Sequence, residues 1–203
     1  VHTGFDDYTR TALFTTKVPA RGGITAGEFL AAELRQNPTE VLCLTGHSLG
    51  GAAATLAAAR FADMGVSASQ LRVITFGAPA VGNETFARRY EQRMHLTRIV
   101  MAGDPVTAVL QSLSPNFVQF GDRIEWQPNR NTERFAHQMV VYLDDALRLY
   151  YENMPAGTSG VLTNPLPKAT TGGLYVAEPS FSLPMALQAD QPYVKRSLQA
   201  AFS

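Results

Sequence analysis

Cysteine is nearly absent: the 203 residues hold one, Cys43. A single thiol cannot close an internal disulfide, so no disulfide framework holds this chain, and cysteine usage does not settle its compartment. Cys43 sits in the apolar run Val41-Leu42-Cys43-Leu44. It is expected to be buried and inert, because a nucleophilic cysteine needs exposure and a partner base. An excess of charge is also missing. Lys plus Arg number 17 and so do Asp plus Glu, which excludes the basic footprint of a nucleic-acid-binding surface. The basic pairs Arg88-Arg89 and Lys195-Arg196 read as solvated helix faces. No apolar run reaches the roughly 18 residues of a membrane-spanning helix. No signal peptide is visible, but the chain opens on Val1 rather than Met, so a leader could have been removed; a secreted or cell-envelope location is slightly favoured over a cytoplasmic one. No spacing of His, Cys, Asp or Glu resembles a metal site.

What remains is the composition of an ordinary domain, 45% hydrophobic and 17% charged, long enough for a real core. Residues 5–13 could be helical. Thr25, with Glu28 three residues on, forms a capping box for a helix over residues 27–36, and Pro38 ends it. Strands then alternate with helices: strand 41–44, helix 49–63, strand 71–76, helix 84–93, strand 96–101. This alternation predicts an α/β fold, a mostly parallel sheet covered by helices on both faces. Residues 116–120 and 123–126 look like a hairpin around Gly121-Asp122.

The most informative residues are Gly46-His47-Ser48-Leu49-Gly50. They follow the first strand and open an alanine-rich helix, the context that a G-x-S-x-G nucleophile elbow requires. The same five residues by themselves also suit a glycine-flanked turn with Ser48 capping the helix. Gly46 and Gly50, without Cβ atoms, would let strand and helix approach around a strained Ser48. The Leu49 N–H would stand at the helix N-terminus, where an oxyanion could form.

A triad on such a sheet runs in the order serine, acid, histidine. Asp104 follows the strand 96–101 directly, in a turn stiffened by Pro105. Asp63 comes too early, Asp122 lies in the expected hairpin turn, and Asp144 and Asp145 fall in a helical pattern. Of the four histidines, His2 precedes the serine, His47 adjoins it and His95 precedes the acid. His137, at the entry to a helix ending near Tyr151, is the only one after Asp104. Order and elimination select it as the base.

Four segments together resemble the class 3 lipase family of fungal-lipase-like α/β-hydrolases. They are Val1-His2-Thr3-Gly4-Phe5, Gly46-His47-Ser48-Leu49-Gly50-Gly51-Ala52, Thr75-Phe76-Gly77-Ala78-Pro79-Ala80-Val81-Gly82-Asn83 and Asp104-Pro105-Val106. The resemblance spans residues 1 to about 151. It implies Ser48 as nucleophile, Asp104 as acid and His137 as base. It further implies ester hydrolysis on a lipid substrate with no metal or organic cofactor and transient contact with a lipid interface. Triacylglycerol lipase leads. Phospholipase A1 and feruloyl-type carboxylesterase share the motifs, and a non-catalytic module binding lipid or protein is the rival of another class. Residues 108–110, 113 and 117–118 form an apolar loop after the acid that would line an acyl groove or pack as core.

The chain departs from the family at both ends. In the family, the strand carrying the other oxyanion donor and the lid lie upstream of the His-x-Gly-Phe segment, where this chain begins. The early strands are therefore expected to be missing, which leaves an open sheet edge. A truncated or processed piece of a longer protein is the favoured explanation. A partner chain, or the tail folding back, could instead complete the sheet. Residues 1–154 are expected to form the hydrolase core. Residues 155–203 are expected to be a surface-hugging extension with short apolar pieces at 174–176 and 181–183 and a terminal helix over 190–202.

Overall fold

Strand β2 (Leu71–Phe76) shows how the sheet is made: Leu71, Val73 and Thr75 are buried while Arg72 between them is exposed. That period of two is what a pleated strand imposes on a sheet with unlike faces. The computed structural model describes residues 1–18, 22–128 and 135–153. The chain divides into two compact units at Glu125 and Trp126. In the first, α1 (Thr3–Thr9), α2 (Ala26–Gln36), β1 (Leu42–His47) and α3 (Leu49–Asp63) precede β2. Then come β3 (Gly82–Asn83), α4 (Glu84–Tyr90), β4 (His95–Met101), α5 (Val106–Leu113), β5 (Phe117–Val118) and β6 (Asp122–Trp126), all but the last residue of β6 in the first unit. The main sheet has the order β1-β2-β4-β6, and β1, β2 and β4 are parallel. The expected tail elements, Leu174–Val176, Phe181–Leu183 and the terminal helix, lie outside the described residues, as do Lys195 and Arg196.

Helix α3 is the centre of the core. Ten of its 15 residues are buried, six of them alanine. Alanine costs least in a helix and keeps the helix thin enough to lie close on the sheet. Leu56 and Phe61 supply the bulk, and α1 covers the outer side of α3 through Phe5. Burying each large side chain contributes about 1.5–3 kcal/mol. Phe14 of the π-helical turn Arg10–Thr15 packs against Phe61, the rings tilted by 59° with centroids 5.3 Å apart. Arg60 reaches Asp6 at 2.6 Å.

A buried glutamine fixes the approach to β1. The Gln70 amide donates to the carbonyls of Leu34 (2.7 Å), Asn37 (3.0 Å) and Glu40 (3.1 Å). It thereby satisfies the carboxyl end of α2, whose last carbonyls have no partner within the helix. At the other end of α2 the capping box is present, with Thr25 and Glu28 bonded reciprocally.

Several expectations are corrected. Cys43 is exposed, not buried. It alternates onto the face opposite α3, where Thr45, Arg72 and His95 are exposed as well. The hairpin does not form. Phe117 and Val118 pair antiparallel with Asn83 and Gly82, while Asp122–Trp126 joins the far edge of the main sheet. The loop expected at residues 108–113 belongs to α5, because Asp104 starts a helix there: its Oδ1 accepts from the Val106 N–H at 2.9 Å and its carbonyl from the Thr107 hydroxyl at 3.0 Å. The helix expected to reach Arg93 stops at Tyr90. The chain turns there with Arg93 N–H bonded to the Tyr90 carbonyl at 2.9 Å.

The end of α4 is held by Asp63, the last residue of α3. Its carboxylate accepts from Tyr90 Oη (2.6 Å), Arg93 (2.6 Å) and Arg89 (3.0 Å). Burial pushes this carboxyl up, but the three donors together hold it below the usual carboxylate range. A lowered folded pKa stabilises the fold above the unfolded pKa, and that contribution disappears as pH falls through the folded value. We expect Asp63→Asn to cost about 1 kcal/mol at pH 7, a value limited by solvent screening of the half-exposed pairs. Thermal melts of both proteins should converge as pH falls below about 4, the ordinary aspartate value. An undiminished gap at pH 2.5 would overturn the assignment.

Candidate active site

Ser48 has φ 56° and ψ −122°, and among the described residues it is the one non-glycine residue with positive φ. Such a backbone costs about 1–3 kcal/mol and persists only where its surroundings impose it. The surroundings are explicit. The Ser48 N–H donates to the Phe76 carbonyl at 2.9 Å, and the Ser48 carbonyl accepts from Gly51 (3.0 Å) and Ala52 (3.1 Å). The residue is pinned to β2 on one side and to the first turn of α3 on the other. Its hydroxyl makes no capping bond to α3, which removes the reading of Ser48 as a helix cap.

The glycines that permit this turn are Gly46 and Gly51. A Cβ on Gly46 would stand 2.2 Å from the Gly50 carbonyl carbon, and one on Gly51 would stand 2.7 Å from the Ala78 Cβ and 2.9 Å from the Gly46 oxygen. A Cβ on Gly50 would meet nothing within 4 Å. Gly50, expected to make the close approach, does not, because the first helical turn rotates it away from the strand. Gly51 lies one residue beyond the pentapeptide and so escapes the motif.

The carboxyl ends of three parallel strands meet in register. His47 is opposite Phe76, and Phe76 is opposite Ile99. Ser48 therefore follows β1 on the same edge that Asp104 reaches three residues after β4. Open α/β sheets bind ligands at this edge. Asp104 is buried, and its Oδ1 bond to Val106 orients the carboxylate. The Leu49 N–H, first in α3, makes no backbone hydrogen bond among the described residues.

Gln119, which no sequence pattern singled out, lies between β5 and β6. Its Nε2 donates to the carbonyls of Ala78 and Thr107, both at 3.1 Å. His137 belongs to the second unit, in the turn before α6 (Met139–Glu152). It is half-buried, its ring centroid 6.4 Å from that of Phe135.

The competing residues have other environments. His95 is exposed on β4, and Asp122 is exposed on β6. Asp145 is buried on α6 and paired with Arg148 at 2.8 Å. Burial and the neighbouring Asp145 carboxylate push the Asp144 carboxyl up. Among the described residues no cluster of three His, Cys, Asp or Glu could hold a metal ion, and no helix is long and apolar enough to cross a membrane.

Comparison with known proteins gives a consistent result. The profile of the Lipase (class 3) family matches residues 2–113, a stretch that contains Ser48 and Asp104 and ends before His137. It is shorter than the span of 1 to about 151 expected from the motifs. Lipase ZK262.3 of Caenorhabditis elegans is 49% identical over 65 residues, 31% of this chain and 18% of that protein. The secreted mono- and diacylglycerol lipase 1 of Fusarium solani is 36% identical over 107 residues, 52% of this chain and 28% of that protein. The chain thus spans under a third of the length of these relatives. Among solved structures, the Rhizomucor miehei triacylglyceride lipase is 29% identical with a TM-score of 0.44, covering 48% of this chain and 38% of that one.

The glycine geometry makes a direct prediction. Gly46→Ala should destabilise the protein by about 3 kcal/mol or more, since the added methyl meets backbone that cannot retreat without moving α3. Gly50→Ala should be neutral or stabilising by up to about 1 kcal/mol, as alanine replaces glycine in a helix at an open position. Denaturant unfolding of both variants checks the pair. Equal losses would show that the approach of strand and helix is not what Gly46 serves.

Proposed function

The chain belongs to the class 3 lipase family, and from that premise we propose that it hydrolyses carboxylic esters of lipids through Ser48, Asp104 and His137. The observation that carries this reading is the backbone of Ser48. A serine held at positive φ, between a parallel strand and a core helix, is the arrangement that exposes a nucleophile at a sheet edge. Asp104, oriented on the same edge two strands along, is the second support.

In the proposed reaction His137 takes the Ser48 proton as Oγ attacks the ester carbonyl. The charge that forms on the carbonyl oxygen is stabilised by the Leu49 N–H, aided by the positive end of α3. Asp104 orients the imidazole and stabilises its charged form. His137 then protonates the departing alcohol, and an acyl-enzyme is left on Ser48. Water, deprotonated by the same imidazole, releases the fatty acid and restores the serine.

Acylglycerol is the proposed substrate class, in line with the lipases among the relatives. Phospholipase A1 and feruloyl-type esterase activities remain the alternatives. Transient contact with a lipid surface and a secreted or cell-envelope location belong to the same proposal.

The test is covalent. A fluorophosphonate should add once to the parent chain, and Ser48→Ala and His137→Ala should both abolish the adduct in intact-mass spectra. On a soluble ester, Ser48→Ala should lower kcat about a million-fold, and Asp104→Asn about ten-thousand-fold. Esters of graded acyl length, with a phospholipid and a feruloyl ester beside them, then separate lipase from its alternatives. A folded parent that takes no adduct would overturn the hydrolase reading in favour of a binding module.

A further inference from the structure

We propose that Gln119 is a positioning residue, whose side-chain amide locks the turn carrying the acid to the turn supporting the nucleophile elbow. The proposal rests on the ester-hydrolase reading above. Two hydrogen bonds define it, from Nε2 to Ala78 O and to Thr107 O, both 3.1 Å. Each acceptor belongs to one half of the catalytic edge. Ala78 follows β2 and packs on the elbow itself, its Cβ occupying the space that a Cβ on Gly51 would need. Thr107 stands in the first turn of α5, and its hydroxyl donates to the Asp104 carbonyl at 3.0 Å. Asp104 Oδ1 in turn accepts from the Val106 N–H at 2.9 Å. A continuous path of contacts thus runs from Gly51 through Ala78, Gln119 and Thr107 to Asp104.

The amide itself is anchored on both sides along the chain. Phe117 and Val118 before it pair with Asn83 and Gly82, and Phe120 after it is buried in the core. Its orientation is fixed by chemistry. Both partners are carbonyl oxygens, so only the NH2 end can face them. A side chain that satisfies one backbone carbonyl from each of two loops fixes the spacing between those loops. Spacing is what the acid needs. A displacement of about 1 Å in a catalytic group costs about a hundredfold in rate even when every catalytic side chain is still present.

The experiment compares Gln119→Met and Gln119→His in the full 203-residue chain. Methionine keeps the length and removes both donors. Histidine returns one ring N–H at similar reach. Rates are measured on a soluble short-chain ester and expressed per active site, with sites counted by fluorophosphonate labelling so that unfolded molecules do not contribute. Gln119→Met should lower kcat about ten- to a hundredfold and leave KM within about twofold. Gln119→His, with one donor for two carbonyls, should recover part of that loss. A lowered melting temperature with unchanged kcat per site would overturn the proposal, as would a His variant no better than Met. A parent chain that neither labels nor turns over removes the hydrolase reading and this inference together. A competent parent with an equally competent Met variant removes this inference alone.

Discussion

The approach of α3 to the sheet at Gly46 and Gly51 governs the rest of the arrangement. With a Cβ only 2.2 Å from the Gly50 backbone at the first position and 2.7 Å from Ala78 at the second, no other residue fits either one. This closeness turns the chain from strand to helix within one residue, and that residue, Ser48, takes the strain. The cost of about 1–3 kcal/mol is smaller than what α3 returns, since Leu56 and Phe61 alone bury enough to offset it. The strain persists because the helix that imposes it is also the centre of the core.

Much of this was legible in the sequence, for identifiable reasons. Strand, elbow and helix are contiguous in the chain, so the turn chemistry and the change of period mark them locally. The helix Leu49–Asp63 and the strand Leu71–Phe76 have the bounds expected. The capping box at Thr25 was equally local. What escaped depends on contacts distant in sequence. Which glycine faces the strand depends on the rotation of the first helical turn, and this moved the role from Gly50 to Gly51. Whether Cys43 is buried depends on which face a helix covers, and an apolar run does not encode that. Phe117 and Val118 chose Gly82 and Asn83 over the nearer segment after Gly121, a preference that no periodicity announces.

The two glutamines make the same point from the polar side. Gln70 and Gln119 each satisfy backbone carbonyls distant in the chain, up to 36 residues away in one case and 41 in the other. Loops at a sheet edge carry carbonyls that neither helix nor strand can pair, and each one left unpaired in the interior costs roughly 1–3 kcal/mol. A side-chain amide, with two donors on a flexible stem, meets two such demands at once. Glutamine has no motif because its partners are backbone atoms, whose positions no residue identity records.

Asp104 shows how the fold settles orientation ahead of chemistry. One carboxylate oxygen is engaged by the Val106 N–H and the carbonyl by the Thr107 hydroxyl, so the residue is tied to the first turn of α5 and presents its acid with the same bonds. Turning the carboxylate away would forfeit the start of that helix. Ser48 is constrained in the same manner, by the Phe76 carbonyl on one side and the first turn of α3 on the other. Both residues proposed for chemistry in this unit are held where a strand gives way to a helix, Asp104 through its carboxylate and Ser48 through its own backbone N–H and carbonyl. Helix initiation and preorganisation of the site therefore draw on one set of bonds, and that shared set explains why nucleophile and acid both stand at strand-to-helix junctions.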